Sequence, residues 1–155
     1  MNGTDGKVIF ASGSPFPSFT HNGVEHVPGQ GNNMYVFPGI GLGTILCQAT
    51  HVSQDMIYAS AVGLVKSLNE DEIAKGWLYP ELSRIREVSV SVAREVIRAA
   101  HAGNLDRKKF LQKLSDEALD DYIRKAMYDP CEPNASRMPS GSNSPTGESA
   151  DRGKL

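Results

Sequence analysis

The feature that most constrains this chain is a continuous apolar run close to its start, Lys7-Val8-Ile9-Phe10-Ala11, closed by Gly6 on one side and Ser12-Gly13-Ser14-Pro15 on the other. β-Branched and aromatic residues at that length between breakers read as a strand. The run does not alternate polar with apolar, so it suits a strand covered on both faces, as in a parallel α/β sheet. A buried strand needs neighbours for its backbone donors and acceptors, yet only six residues precede this one. The expectation is one end of an α/β domain whose other strands lie outside the chain.

The rest of the pattern agrees. Residues 12 to 31 read as a loop rich in Gly, Pro, Ser and His, with His21-Asn22-Gly23-Val24 as a turn between Ser18–Thr20 and Val24–Val27, a possible small hairpin. From Pro38 the pattern becomes helical. Glycines at 39, 41 and 43 allow a backbone to approach another backbone or a ligand closely. Asp55 to Leu68 reads as a helix with Met56, Ala59, Val62 or Gly63, and Val65 or Lys66 on one face. In Asn69 to Ala74, Asn69 and Glu72 form a capping-box pair and Gly76 is the stop. Ser83 to Ala102 is the longest helix, with Ile85, Val88, Val92, Val96 and Ala99 in one stripe and Gly103 as its stop. Asp106–Lys113 and Asp116–Met127 read as two further short amphipathic helices.

After Pro130 the composition changes. Residues 131 to 155 hold Met138 and Leu155 as their only large aliphatics, and read as a disordered tail rich in Ser, Pro and Gly. The expected organisation is therefore one unit over residues 1–130 and a tail over 131–155.

Several function classes are disfavoured. A net charge of -2 gives no electrostatic reason to expect nucleic acid or an acidic membrane as partner. No stretch is apolar enough for a membrane span. Two distant cysteines, Cys47 and Cys131, do not make a disulfide framework and point to a reducing compartment. The terminal Gly153-Lys154-Leu155 departs from the peroxisomal Ser-Lys-Leu address at its first position. His21, His26, His51 and His101 lack metal-ligand spacing, and read as surface or hydrogen-bonded histidines. Glu70-Asp71-Glu72 reads as a helix-start charge cluster, and the basic residues between 84 and 98 as a solvated helix face. There is no G-x-G-x-x-G after a strand, no P-loop and no nucleophile elbow.

Two segments carry candidate chemistry. Ser12, Gly13 and Ser14 directly follow the strand, where open parallel sheets bind ligands; a plain turn is the alternative. In Gly29-Gln30-Gly31-Asn32-Asn33, two adjacent amides offer uncharged donors and acceptors for a carboxylate, hydroxyl or carboxamide; turn formation alone is the alternative.

Ile9-Phe10-Ala11-Ser12-Gly13-Ser14-Pro15-Phe16, Pro28-Gly29-Gln30-Gly31-Asn32-Asn33-Met34-Tyr35-Val36-Phe37-Pro38-Gly39 and Leu78-Tyr79-Pro80, in that order and spacing, resemble the NAD(P)-dependent malic enzyme family. The resemblance covers roughly residues 6 to 128. It implies an α/β fold, the remnant of a Rossmann-like NAD-binding domain, although this chain is itself mostly α-helical with one or a few short strands. It implies oxidation of malate at its 2-hydroxyl by NAD or NADP and decarboxylation to pyruvate, assisted by Mg or Mn. On that likeness Asn32 and Asn33 bind substrate, Asn33 also meets the nicotinamide, and Ser12, Gly13 and Ser14 line the cofactor crevice. The family's proton-transferring Tyr and Lys, its substrate Arg, its acidic metal ligands and its dinucleotide loop are not in this chain, so no catalytic or metal residue is assigned. The expectation is a piece that is inactive alone, works within a malic enzyme, homo-oligomeric or joined to a full-length subunit, and resides inside the cell in cytoplasm, mitochondrion or plastid. The alternative is a non-catalytic interaction module that associates with a full-length malic enzyme subunit.

Overall fold

A computed structural model describes Thr4 and residues 8–129. The expected tail at 131–155, with Cys131, lies outside the described residues. The N-terminal part holds four short strands: β1 (Ala11–Ser12), β2 (Phe19–His21), β3 (Val24–His26) and β4 (Gly29–Gln30). β1 and β4 run parallel, pairing Ala11 with Gly29 and Ser12 with Gln30, while β2 and β3 form an antiparallel hairpin. The hairpin turns through Asn22 (φ 51°) and Gly23 (φ 76°). Two successive left-handed residues match the twist of the strands, which is why an Asn-Gly pair sits there.

The apolar run that opens the chain corrects the expectation of a buried strand. Only Ala11–Ser12 pairs, and Ile9 is 62% exposed, with Val8 and Phe10 also open to solvent. A run of this type is built for cover on both faces, and among the described residues β4 is its sole sheet neighbour. Within the loop expected over 12 to 31 the small hairpin forms as expected, and β4 is the departure. A two-residue strand that includes a glycine has no periodicity to reveal it.

The remainder is helical: α1 (Phe37–Cys47), α2 (Gln54–Lys66), α3 (Glu70–Ala74), α4 (Ile85–Ala102) and α5 (Asp116–Ala126), with 3₁₀ turns at Asn33–Tyr35, Leu82–Arg84 and Lys109–Lys113. The last turn replaces the helix expected over Asp106–Lys113. Asp106 itself is buried and accepts from Lys109 and Gln112. No helix among the described residues is long and apolar enough to cross a membrane.

α4 is the centre of the core. Val88, Val90, Val92, Ala93, Val96, Ile97 and Ala100 are all buried, a wider apolar surface than a single stripe. α1 and α2 pack on it and α5 adds Leu119 and Ile123. α1 and α2 approach α4 through glycine. A β-carbon added at Gly39 would stand 2.5 Å from Val92 Cβ, and one at Gly63 would stand 2.7 Å from Val92 Cα. Gly43 likewise faces the Ala93 carbonyl, whereas Gly41 faces open space. The glycines of α1 therefore serve helix packing at two positions of three. On α2 the buried set is Met56, Ser60, Gly63 and Leu64, and Val65 points outward, which corrects the expected stripe by about one residue along the face.

The helix ends follow local chemistry. Asn69 accepts from Glu72 N (2.8 Å) and Glu72 Oε2 accepts from Asn69 N (2.9 Å), the reciprocal capping box. Gly76 stops the segment at φ 70°. After α4 the left-handed residue is Asn104 (φ 54°), not the expected Gly103. Asn tolerates that region because its short polar side chain bonds locally.

Two electrostatic expectations change. Glu72 is more than part of a helix-start cluster: it is 3% exposed. It accepts from Glu81 N at 2.8 Å and pairs with Arg84, whose other nitrogen donates to the Ser67 carbonyl at 2.9 Å. Burial pushes its carboxyl up, but Arg84 and the two backbone donors outweigh that and hold it below the usual carboxylate range. The basic face of α4 is likewise only partly solvated. Arg94 pairs with Asp120 at 2.7 Å, and Arg98 donates to the Leu114 carbonyl (2.7 Å) and Asp116 (2.9 Å), tying α5 to α4.

Two predictions follow from this packing. Gly39→Ala and Gly63→Ala each lower urea-unfolding stability by about 1–3 kcal/mol through overpacking, while Gly41→Ala raises it by about 0.5–1 kcal/mol through helix propensity. Because Glu72 has a depressed folded pKa, its stabilisation is complete above the ordinary glutamate pKa of about 4.3 and is lost as pH falls through the lower folded value. The unfolding midpoint of Glu72→Gln therefore falls less steeply with acid than that of the parent chain, measured between pH 5 and 2, the range over which such a carboxylate titrates.

Candidate functional site

The parallel pair fixes where the two candidate loops lie. β1 and β4 point the same way, so their carboxyl ends open on the same side of the fold. Ser12-Gly13-Ser14 leaves one end and Gly31-Asn32-Asn33 leaves the other. They are joined directly: Gly31 N donates to the Ser12 carbonyl at 2.8 Å, and Gln30 Nε2 reaches the Gly13 carbonyl at 3.5 Å. Ser12 is half-buried, while Gly13, Ser14, Asn32 and Asn33 are exposed. All five residues expected to bind ligand thus border one surface. The region beyond the carboxyl ends of parallel strands is where open α/β sheets hold ligands.

The two asparagines differ in their surroundings. Asn32 caps the 3₁₀ turn; its Oδ1 accepts from Met34 N at 3.0 Å. That contact leaves the Asn32 amide NH₂ with no partner among the described residues, so it keeps two donors for a ligand. Asn33 lies inside the turn, and its carbonyl accepts from Val36 N at 3.0 Å. Its side chain makes no hydrogen bond among the described residues. Turn formation and ligand donation are therefore compatible at Asn32: one end of the amide builds the turn and the other faces out.

The loop is anchored from below. Tyr35 is buried and its hydroxyl donates to the Pro80 carbonyl at 2.8 Å. Burial, with the Glu72 charge nearby, raises its phenol pKa. Tyr79 packs against Tyr35, ring centres 5.4 Å apart, and lies over Gly29 and Gly31. A β-carbon on Gly29 would meet the Tyr79 ring at 3.1 Å, so these glycines leave a flat surface for the ring. Pro80 adjoins Glu81, whose N–H is held by Glu72. The sequence marks Tyr79 and Tyr35 only as parts of longer motifs. The signal that could have found them is the Gly-x-Gly spacing, which clears one face of a strand.

A cleft of about 650 Å³ lies elsewhere. It is bordered by Val8, Ile9, Phe10, Val24, Val27 and Trp77, toward the amino ends of β1 and β4. Its lining is mostly apolar and suits packing against protein better than recognition of a small polar acid.

The donor set at the carboxyl ends suits a planar oxygen-bearing group, such as a carboxylate or the carboxamide of a nicotinamide. It carries no formal charge. Among the described residues no group of three or more His, Cys, Asp and Glu is placed to hold a metal ion, so the residues here do not fit a metal centre.

The family model described as "Malic enzyme, NAD binding domain" matches residues 1–101. The chain is 41% identical over 125 residues to the mitochondrial NAD-dependent malic enzyme of Ascaris suum, covering 81% of this chain and 19% of that protein. It is 48% identical over 98 residues to the NADP-dependent malic enzyme of Dictyostelium discoideum, covering 63% and 18%. With that of Populus trichocarpa it shares 44% identity over 127 residues, covering 82% and 21%. The chain spans about a fifth of the length of the curated relatives it matches.

The unequal roles of the asparagines give a stability test. Asn32→Ala removes the cap and lowers unfolding stability by about 0.5–2 kcal/mol. Asn33→Ala changes it by less than about 0.5 kcal/mol. Equal losses in denaturant unfolding would contradict the cap assignment.

Proposed function

Because the chain belongs to the malic enzyme family, as part of its NAD-binding domain, we propose that it supplies the asparagine-bearing loop that positions malate against the nicotinamide in oxidative decarboxylation to pyruvate. The observation that carries this reading is the direct joining of the Ser12–Ser14 and Gly31–Asn33 loops at the carboxyl ends of two parallel strands. In the proposed arrangement the free Asn32 amide donates to a substrate carboxylate oxygen. Asn33 stands beside it, facing both substrate and carboxamide. Ser12, Gly13 and Ser14 border the cofactor side of the same crevice. Uncharged amides orient a carboxylate without neutralising it, so the developing charge on the reacting carbon stays available to other groups. NAD or NADP, when bound, accepts the hydride.

The chain's own residues end there. Mg or Mn would need a carboxylate set that the described residues do not assemble. Proton transfer would need a general acid and base within reach of the substrate. The 155-residue chain is accordingly a contributor to the reaction and not its whole catalyst. An intracellular setting in cytoplasm, mitochondrion or plastid accompanies this reading, since the relatives include proteins named as mitochondrial and as chloroplastic.

A second reading, association with a full-length malic enzyme subunit as a non-catalytic module, is favoured by one observation. Val8, Ile9 and Phe10 are exposed along the mostly apolar cleft, a surface that burial against protein would stabilise.

The purified 155-residue chain, assayed with malate, NAD or NADP and Mn, is expected to show no turnover above background. Sustained formation of pyruvate and reduced nicotinamide by that chain alone would overturn the division of labour proposed here. Co-purification with a full-length malic enzyme, with no change in that enzyme's rate, would favour the second reading.

A further inference from the structure

Tyr79 lies along β4 rather than across it. Its Cδ2 is the ring atom nearest a β-carbon built on Gly29, at 3.1 Å, and its hydroxyl is nearest one built on Gly31, at 2.9 Å. The phenol therefore runs with the chain direction of β4 and delivers its oxygen to the carboxyl end of the strand. There Gly31 pairs to the Ser12 carbonyl and leads directly into Asn32. The hydroxyl has no hydrogen-bond partner among the described residues and is not itself fully buried, so its donor is open to a ligand. Its direction is not adjustable. The ring is pressed on the glycine face and on Tyr35, Tyr35 is bonded to Pro80, and Pro80 is fully buried beside the Glu72 and Arg84 pair.

We propose that the Tyr79 hydroxyl is a ligand-binding group of this site, donating to a carboxylate or carboxamide oxygen held by Asn32 and Asn33. The proposal rests on the reading of the Gly31–Asn33 loop as a ligand site. It explains features that packing alone does not. A phenylalanine would fill the same flat face without the oxygen, and glycines at 29 and 31 let a ring lie close enough for that oxygen to reach the strand end. The hydroxyl adds a third neutral donor beside the Gly31–Asn33 loop while no charge is introduced.

Tyr79→Phe tests this, because it keeps the ring on Gly29, Gly31 and Tyr35 and removes only the oxygen. The full 155-residue chain is titrated separately with malate, the carboxylate arm, and with nicotinamide mononucleotide, the carboxamide arm, and followed by NMR at the Gly31 amide, the Asn32 and Asn33 side-chain amides and Tyr79 Cζ. The expected result is saturable shifts with at least one probe, including Tyr79 Cζ, and roughly 3- to 10-fold weaker binding of that probe by Tyr79→Phe, with α4 resonances and the urea midpoint unchanged. Equal affinity of the two proteins would overturn the role of Tyr79 and leave the loop reading standing. No saturable shift in the parent chain with either probe would overturn the loop reading, and the role of Tyr79 with it.

Discussion

Close approach of two helices to α4 is the constraint on which the rest depends. Gly39 and Gly43 set α1 on α4, and Gly63 sets α2, in each case at a distance that leaves no room for a β-carbon. Such contacts fix both the separation and the rotation of a helix, since only the glycine face can enter. α1 begins at Phe37, immediately after the 3₁₀ turn that holds Asn33. The rotation of α1 therefore sets where the turn begins, and through it where the two asparagines stand. Core packing and site geometry are one problem in this chain.

A second chain of contacts reaches the same loop from the other side. The Asn69 and Glu72 capping box starts α3, and the buried Glu72 carboxylate then holds Glu81 N and Arg84. This fixes the Leu78–Pro80 segment, on which both Tyr35 and Tyr79 depend. A buried ion pair of this sort is modest evidence for net stability, since desolvation offsets much of the attraction. Its effect here is positional. Three polar partners around one carboxylate permit few alternative arrangements of residues 69 to 84.

How legible this was in the sequence varies by physical cause. The helices read well because an amphipathic face repeats over many residues, and α4 and α5 were found within two residues of their ends. The capping box and the Asn22-Gly23 turn were legible because each needs particular side chains at a fixed spacing. β4 was not, because two residues with a glycine leave no pattern. On α2, Met56 and Gly63 are buried as the pattern implies, whereas Ser60 and Leu64 are buried in place of Ala59 and Val65; Gly63 is there for closeness to α4, not for hydrophobicity. Glu72 looked like surface charge because its partners, Glu81 N and Arg84, are nine and twelve residues away. At the site, the likeness to malic enzymes singled out Asn32, Asn33 and Ser12 to Ser14, but sequence spacing alone did not show that Gly31 and Ser12 are bonded neighbours.

The charge balance of the loop bears on its proposed task. Asn32, Asn33 and the Tyr79 hydroxyl are all neutral, and the nearest buried charge, Glu72, is consumed by Arg84 and backbone donors. A ligand carboxylate placed among such groups gains directional hydrogen bonds but keeps its charge. Oxidation and decarboxylation of a 2-hydroxy acid require that charge be drawn off at the reacting carbon, a demand on cationic or metal groups. On the proposed reading, the neutral loop is suited to orienting a ligand. Its exposure at the open carboxyl ends of β1 and β4 leaves the opposite side of the ligand accessible to the groups that would complete the chemistry.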